Sequence, residues 1–403
     1  MGATTVRLRR GSHSKPDRAP GTAPSVSVQY SSGPATGWVS HLPSSWVPYV
    51  QLARLSLPAA VILIYLPTLF GVLLAAILTY GASGVDDVSL PTPWYTCFLL
   101  LVASFFFSNA AHAWDDLVDA PVDILIQRTA RRPIPRGDVS RPAAFAFVVA
   151  NAVGAGAALL GFPDPAGAFR YALPNILATA YYPFAKRHTN FPQLVLGFCI
   201  AWGIVMGAVA VGCEPFTLGQ VLRLHPRDPS LRHVFSPHNH YPQHDSLANT
   251  TATTPITTQV MIEPTISIGP LTLSTPFLTL FIACALWSAI YDTIYAAEDL
   301  EADLRIGLGS LAVLCRERTK AALYALLACL AACLVLCGLS AGMAAPLYYL
   351  ITPVGCTAAL GAMIASVDLR DARSTWWWFR YGYWLVGGSA LGGLGAELMG
   401  RLR

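Results

Sequence analysis

Apolar runs of about twenty residues recur along the chain, separated by short polar segments. They fall near 57–79, 94–114, 142–160, 167–183, 193–212, 272–296, 321–341, 344–366 and 377–399. A helix needs about 20 apolar residues to cross a ~30 Å hydrocarbon core. The pattern therefore predicts nine membrane helices and an all-α, multi-pass bundle. Two stretches lie outside it. Residues 1–45 are rich in Ser, Pro, Gly and Arg, carry no hydrophobic period and read as a disordered tail. Residues 219–270 are polar and rich in His and Thr, and predict a long loop inserted into a domain spanning 46–403.

Composition supports the membrane reading. Of 403 residues, 54% are hydrophobic and 12% charged, against roughly 25% charged in a soluble domain. The net charge of +4 is dispersed and gives no nucleic-acid signature, and no obligate protein partner is evident. Basic residues mark one side of the bundle: Arg128, Arg131, Arg132 and Arg136; Lys186 and Arg187; Arg305, Arg316, Arg318 and Lys320; Arg370 and Arg373. The opposite loop at 80–93 has Asp86 and Asp87 and no Lys or Arg. Positive-inside logic places the basic loops in the cytosol. The tail lacks the apolar core of a signal peptide. Its Arg7, Arg9, Arg10, Lys15 and Arg18 suit a mitochondrial transit peptide, which its Pro and Gly content opposes. An endomembrane such as the endoplasmic reticulum is the expected location, with the mitochondrial inner membrane as the alternative. His233, His238, His240 and His244 lack metal-ligand spacing, and Cys329, Cys333 and Cys337 read as packing residues on one helix face. Asn249-Thr250-Thr251 is a glycosylation sequon.

Chemistry concentrates in two acidic motifs. The second apolar run ends in Asp115-Asp116-Leu117-Val118-Asp119-Ala120-Pro121-Val122-Asp123. On a helix, Asp116, Asp119 and Asp123 share one face. Buried carboxylates at a membrane helix end need compensation, and a hard divalent cation with oxygen ligands supplies it. Arg128, Arg132 and Arg136 follow, so acid then base matches a metal-bridged diphosphate. The sixth run ends in Asp292, Asp299 and Asp303, spaced for one helical face, with Arg305 beyond them. Both motifs end on the same side of a nine-helix bundle. A transporter would place its acids nearer the midplane, often in broken helices.

Four ordered segments resemble the UbiA superfamily of intramembrane prenyltransferases. Asp116-x-x-Asp119-x-x-x-Asp123 with Arg128-Thr129 and Arg132-Pro133 is similar to its first motif. Tyr291-Asp292-Thr293-x-Tyr295-Ala296-x-x-Asp299-x-x-x-Asp303 is similar to its second. Tyr182-Pro183-Phe184-x-Lys186-Arg187 with Pro192-Gln193, and Pro48-Tyr49 with Arg54-Leu55-x-x-Pro58, resemble two further family segments. The chain departs from the family in having Asp115 where Asn is usual, and in the 219–270 insert.

The resemblance implies nine transmembrane helices around a central cavity. It implies magnesium held on the diphosphate by Asp116, Asp119, Asp123, Asp299 and Asp303, with Asp115 added. Arg54, Arg128, Arg132, Lys186, Arg187 and Arg305 are the implied diphosphate contacts. Aromatic faces at Tyr181, Tyr182, Tyr291 or Tyr295 would stabilise an allylic cation, and Asp292 would serve as base or orienting group. The wording of the first motif favours the fungal group that farnesylates phenolic polyketides in meroterpenoid biosynthesis, with farnesyl diphosphate as donor and an orsellinic-acid derivative as acceptor. The alternatives are 4-hydroxybenzoate polyprenyltransferase of ubiquinone synthesis and a membrane terpene cyclase on the same scaffold.

Overall fold

The computed structural model describes residues 37–56, 59–82, 93–126, 128–218, 264–268 and 271–403. Most of the proposed tail and insert, with Asp86, Asp87, the four insert histidines and the Asn249 sequon, lies outside the described residues. A short helix α1 (Val47–Leu52) precedes α2 (Ala59–Ala82), α3 (Pro93–Asp123), α4 (Arg141–Leu159), α5 (Pro165–Ala185) and α6 (Pro192–Ala210). After the insert come α7 (Thr275–Ala296), α8 (Leu300–Ile306), α9 (Leu311–Cys315) and α10 (Thr319–Ser340). Next, α11 (Pro346–Tyr349) runs through a π-helical turn into α12 (Gly355–Ser366), and α13 (Ala372–Arg401) follows.

Each predicted apolar run falls on a helical segment, though α3 runs nine residues past its run to Asp123 and the run at 344–366 is α11 and α12 joined by the π-helical turn. Seven of the described helices are apolar and long enough to count as membrane spans. The exceptions are α5 and α13. Arg170 and Asn175 dilute the first, while Arg373, Arg380, Glu397 and Arg401 dilute the second. At 21 and 30 residues they still have spanning length, since a helix rises 1.5 Å per residue. Nine described segments thus have spanning length, and seven of them also have the composition of a membrane span.

Local chemistry sets the helix starts. Ser140, Asp164, Ser310 and Asp371 cap α4, α5, α9 and α13 through side-chain bonds to free backbone N–H groups. Close helix approach depends on glycine. A Cβ at Gly71 would lie 2.0 Å from the Ile204 carbonyl oxygen, and one at Gly207 would lie 1.9 Å from that of Thr68. These contacts bring α2 against α6, the use of small residues expected where lipid offers no hydrophobic drive. The main core then joins Phe70, Leu74 and Ile77 of α2 to Ile204, Trp287, Ile290, Leu323 and Leu394.

The structure corrects two local expectations. Asp292, Asp299 and Asp303 do not share one continuous helical face, because α7 stops at Ala296 and a 3-10 turn (Ala297–Asp299) intervenes before α8. Glu298 accepts a hydrogen bond from Thr375 and Asp299 pairs with Arg128, and these anchors draw the chain off the helical path. The insert is also not loop throughout. Near its end Thr265–Ile268 forms strand β2, which pairs with β3 (Leu271–Ser274) just beyond it, and with β1 (Phe216–Leu218) they make an antiparallel sheet in the order β1-β3-β2.

Candidate active site

Helix α3 continues through Pro121 to Asp123, so the first motif is the last part of a 31-residue helix. Asp116, Asp119 and Asp123 are 0%, 2% and 2% exposed. Carboxylates so buried require cations, and three separate segments supply them. Arg54, after α1, donates to Asp115 at 3.1 Å and Asp116 at 3.0 Å. Arg132, in the loop after α3, donates to Asp116 and Asp123 at 3.0 Å each. Lys186, at the end of α5, pairs with Asp119. Arg187 reaches Asp119 at 3.4 Å and the Val118 carbonyl at 3.0 Å.

The second motif joins through Arg128, which binds both carboxylate oxygens of Asp299 and donates to the Tyr295 hydroxyl at 2.7 Å. Its guanidinium lies over the Tyr295 ring, 5.1 Å from the centroid. One arginine thus ties α3's following loop to the turn after α7. Burial alone would lower the pKa values of Arg54, Arg128 and Arg132. Asp116 and Asp115 at Arg54, Tyr295 and Asp299 at Arg128, and Asp116 and Asp123 at Arg132 outweigh it, so all three lie above the usual arginine value. They remain charged throughout the working pH range.

Arg54 carries a backbone cost. Its φ is +55°, a region L-residues with long side chains seldom adopt. Leu55 N–H bonds to the Val50 carbonyl and Arg54 N–H to that of Gln51, the double bond of a helix-terminating motif that ordinarily places glycine here. Arginine occupies the position and delivers its charge to Asp115 and Asp116.

The other expected residues are distributed unevenly. Asp292 sits half-buried on α7 within the field of Asp115. Asp303 lies in the field of Asp299, Lys186 and Arg128. Arg305 stands apart: it is 78% exposed and pairs with Glu301 one turn away. Arg136 instead pins the loop, bonding Gln51, Asp138 and the Arg131 carbonyl. Tyr181 is exposed and bonded to His188, and the Tyr291 hydroxyl is committed to the Trp378 carbonyl at 2.6 Å. Tyr295 is hydrogen-bonded into the charged network by Arg128, and Tyr182 lies in the field of Asp292, Asp115 and Asp119. Sequence reasoning passed over Thr375 and Phe379. Thr375 is fully buried and holds Glu298 beside Asp299. Phe379 packs 4.9 Å from Tyr295. Their signal was confined to an aromatic run at the start of the last helix.

Five carboxylates (Asp115, Asp116, Asp119, Asp123 and Asp299) are ion-paired here with five cations (Arg54, Arg128, Arg132, Lys186 and Arg187). The pairing is incomplete at one atom. Asp116 Oδ2 is buried without a hydrogen-bond partner. A spare anionic oxygen among further carboxylates is the donor chemistry that a hard divalent cation takes. Among the described residues, no three acidic side chains are already gathered into one coordination shell, because each is turned toward a base. The donor set fits a metal, and metal binding requires these bases to exchange partners.

Residues 69–224 and 246–386 match the UbiA prenyltransferase family. The chain belongs to that family. It is an integral membrane prenyltransferase. It is 29% identical over 345 residues to a polyprenyl transferase of Emericella variicolor, covering 85% of this chain and 84% of the relative. A prenyltransferase of Stachybotrys bisbyi is 27% identical, covering 92% and 91%. The mitochondrial 4-hydroxybenzoate polyprenyltransferase of Rattus norvegicus is 29% identical, covering 85% and 72%. Among solved structures, a UbiA homologue from Aeropyrum pernix K1 shares the fold with a TM-score of 0.54 at 21% identity, covering 83% of this chain and 96% of that one. An Archaeoglobus fulgidus homologue bound to GPP and Mg2+ has a TM-score of 0.51 at 15% identity, covering 87% and 99%.

Proposed function

We propose that this prenyltransferase moves a farnesyl group from its diphosphate to a phenolic polyketide, with magnesium as cofactor. The observation that carries the reading is the Arg128 bridge, which joins the loop after the first acidic motif to Asp299 and Tyr295 of the second. Asp115, Asp116, Asp119, Asp123, Asp299 and Asp303 would hold the metal. When bound, magnesium withdraws charge from the diphosphate and eases departure of the leaving group. Arg54, Arg128, Arg132, Lys186 and Arg187 would turn from the carboxylates to the outer diphosphate oxygens and stabilise them as charge develops. Metal and diphosphate largely cancel each other's charge, so the balanced network can accept the two together more readily than either alone. Once Arg128 has turned to the diphosphate, the Tyr295 ring it covered would offer its face to the allylic end. Asp292 would take the proton lost from the ring.

The two fungal relatives favour a secondary-metabolite acceptor. The similarity to the rat 4-hydroxybenzoate enzyme, at equal identity to the Emericella relative, supports a second reading in ubiquinone synthesis. We place the protein in an endomembrane with the acidic motifs facing the cytosol, and in the mitochondrial inner membrane under the second reading. A microsomal assay tests the choice. Farnesyl and longer polyprenyl diphosphates are supplied with magnesium and either orsellinic acid or 4-hydroxybenzoate, and products are identified by mass spectrometry. Farnesylated orsellinic acid supports the first reading. Polyprenylated 4-hydroxybenzoate alone overturns it in favour of the second.

A further inference from the structure

A cavity of about 580 Å³ lies between α1, α3 and α4, outside the ion-pair network. Four aromatic side chains, Trp46, Tyr49, Phe105 and Phe147, contribute to its wall together with Asn109 and Asn151. Tyr49 and Phe147 meet with ring centroids 5.5 Å apart. No charged side chain lines the cavity among the described residues. Its volume is in the range of small-molecule sites.

The two asparagines make this more than an apolar hollow. Asn151 Nδ2 donates to the Phe147 carbonyl at 2.8 Å, which turns Asn151 Oδ1 toward Asn109. Asn109 Nδ2 donates to that oxygen at 3.1 Å. Both amide orientations are thereby set, and Asn109 Oδ1 is left as an acceptor with no donor, on a residue only 3% exposed. A buried acceptor of this kind gains from any ligand that brings an O–H or N–H.

Its position connects it to the reaction. Asn109 precedes Asp116 by seven residues, so both lie on one face of α3, about 10 Å apart along the axis. Leu55, also in the cavity wall, directly follows Arg54, which holds Asp115 and Asp116.

We infer that this cavity seats the acceptor, a neutral phenol whose ring lies against the aromatic wall and whose hydroxyl donates to Asn109 Oδ1. The aromatic side chains suit a ring by offset and edge-to-face contact. The uncharged lining selects against an inward-facing carboxylate. A phenol that donates to Asn109 gains electron density on its oxygen and ring, which favours attack on an allylic carbon. This rests on the prenyl-transfer reading above and adds where the acceptor sits.

The test uses full-length protein in nanodiscs with methyl orsellinate as probe, titrated calorimetrically without metal. Wild type and Asp116→Asn should bind it saturably. Asn109→Leu should weaken binding about tenfold, the upper value of one neutral hydrogen bond. Asn151→Leu removes a wall residue and the partner that orients Asn109 but keeps Asn109 Oδ1, and should weaken binding less than Asn109→Leu does. In turnover, Asn109→Leu should raise the KM for methyl orsellinate and leave that for farnesyl diphosphate unchanged. Absence of saturable binding by wild type, wild-type binding by Asn109→Leu, or equal losses in both asparagine variants would overturn the inference. If Asp116→Asn transfers prenyl groups at the wild-type rate, the proposed function itself fails. If that variant is inactive but Asn109→Leu binds normally, only the acceptor site fails.

Discussion

Two buried charge clusters can be compared in this bundle. One contains Glu397 and Arg401 on α13. Arg401 bonds Glu397 at 2.9 Å, the Ile77 carbonyl at 2.9 Å, and the Ala341 and Gly342 carbonyls at 3.1 and 2.8 Å. The second Glu397 oxygen accepts the Ala345 N–H at 3.0 Å. This cluster is saturated, and it ties α2, the end of α10 and the start of α11 to α13. The other cluster contains the two acidic motifs. Its five ion-paired carboxylates match five cations, yet Asp116 Oδ2 has no partner, and Arg54 sits in a strained backbone conformation to reach the acids. A closed network holds helices together, whereas an open network of exchangeable partners is suited to receive a ligand. Strain and an orphaned acceptor at the second cluster are the kinds of cost that concentrate at functional sites.

The comparison makes sharp predictions. The largest effect should come from Asp116→Asn, which keeps the side-chain shape. Turnover should fall by about 10²–10³-fold, the scale seen when one electrostatic stabiliser of a transition state is lost. The melting temperature of purified protein should change little, because Arg54 and Arg132 keep Asp115 and Asp123 as partners. A large drop in melting temperature with turnover intact would erase the distinction between the clusters. Arg401→Met should do the reverse. Removing one partner of a buried pair costs about 3 kcal/mol, so thermal stability should fall while surviving protein turns over normally. Chelation with EDTA should abolish turnover and leave the melting temperature of metal-free protein unchanged.

Smaller effects refine the site. Arg54→Gly should relieve about 1 kcal/mol of backbone strain yet raise the KM for the prenyl diphosphate, since the cation is gone. A gain in stability with an unchanged KM would assign Arg54 no part in diphosphate binding. Arg305→Ala should have the least effect. Its pairing with Glu301 is solvent-exposed and contributes at most about 0.5 kcal/mol, so both turnover and melting should match wild type.

The long helices and the first motif were readable because each depends on local order. An apolar run of sufficient length is helical in lipid wherever it falls, and Asp116, Asp119 and Asp123 share a face by helical spacing alone. The second motif was read less well. Its spacing predicts one face, but Thr375 and Arg128, distant in sequence, hold Glu298 and Asp299 in a 3-10 turn. Arg305 follows the motif as a diphosphate contact would, yet the structure turns it outward. The Glu397–Arg401 clip carries no sequence signature beyond an i, i+4 pair, and its partners are backbone carbonyls of remote segments.

The sequence by itself therefore determined a membrane-spanning helical chain with two acidic motifs and an excess of arginine beside them. Those properties follow from hydrophobicity and helical period, which act between near neighbours. Only the tertiary structure decided which cation meets which carboxylate, that Arg54 bears strain to do so, and that Asp116 retains a free oxygen. Those outcomes depend on the close approach of helices far apart in sequence, which glycines such as Gly71 and Gly207 permit and no local pattern specifies.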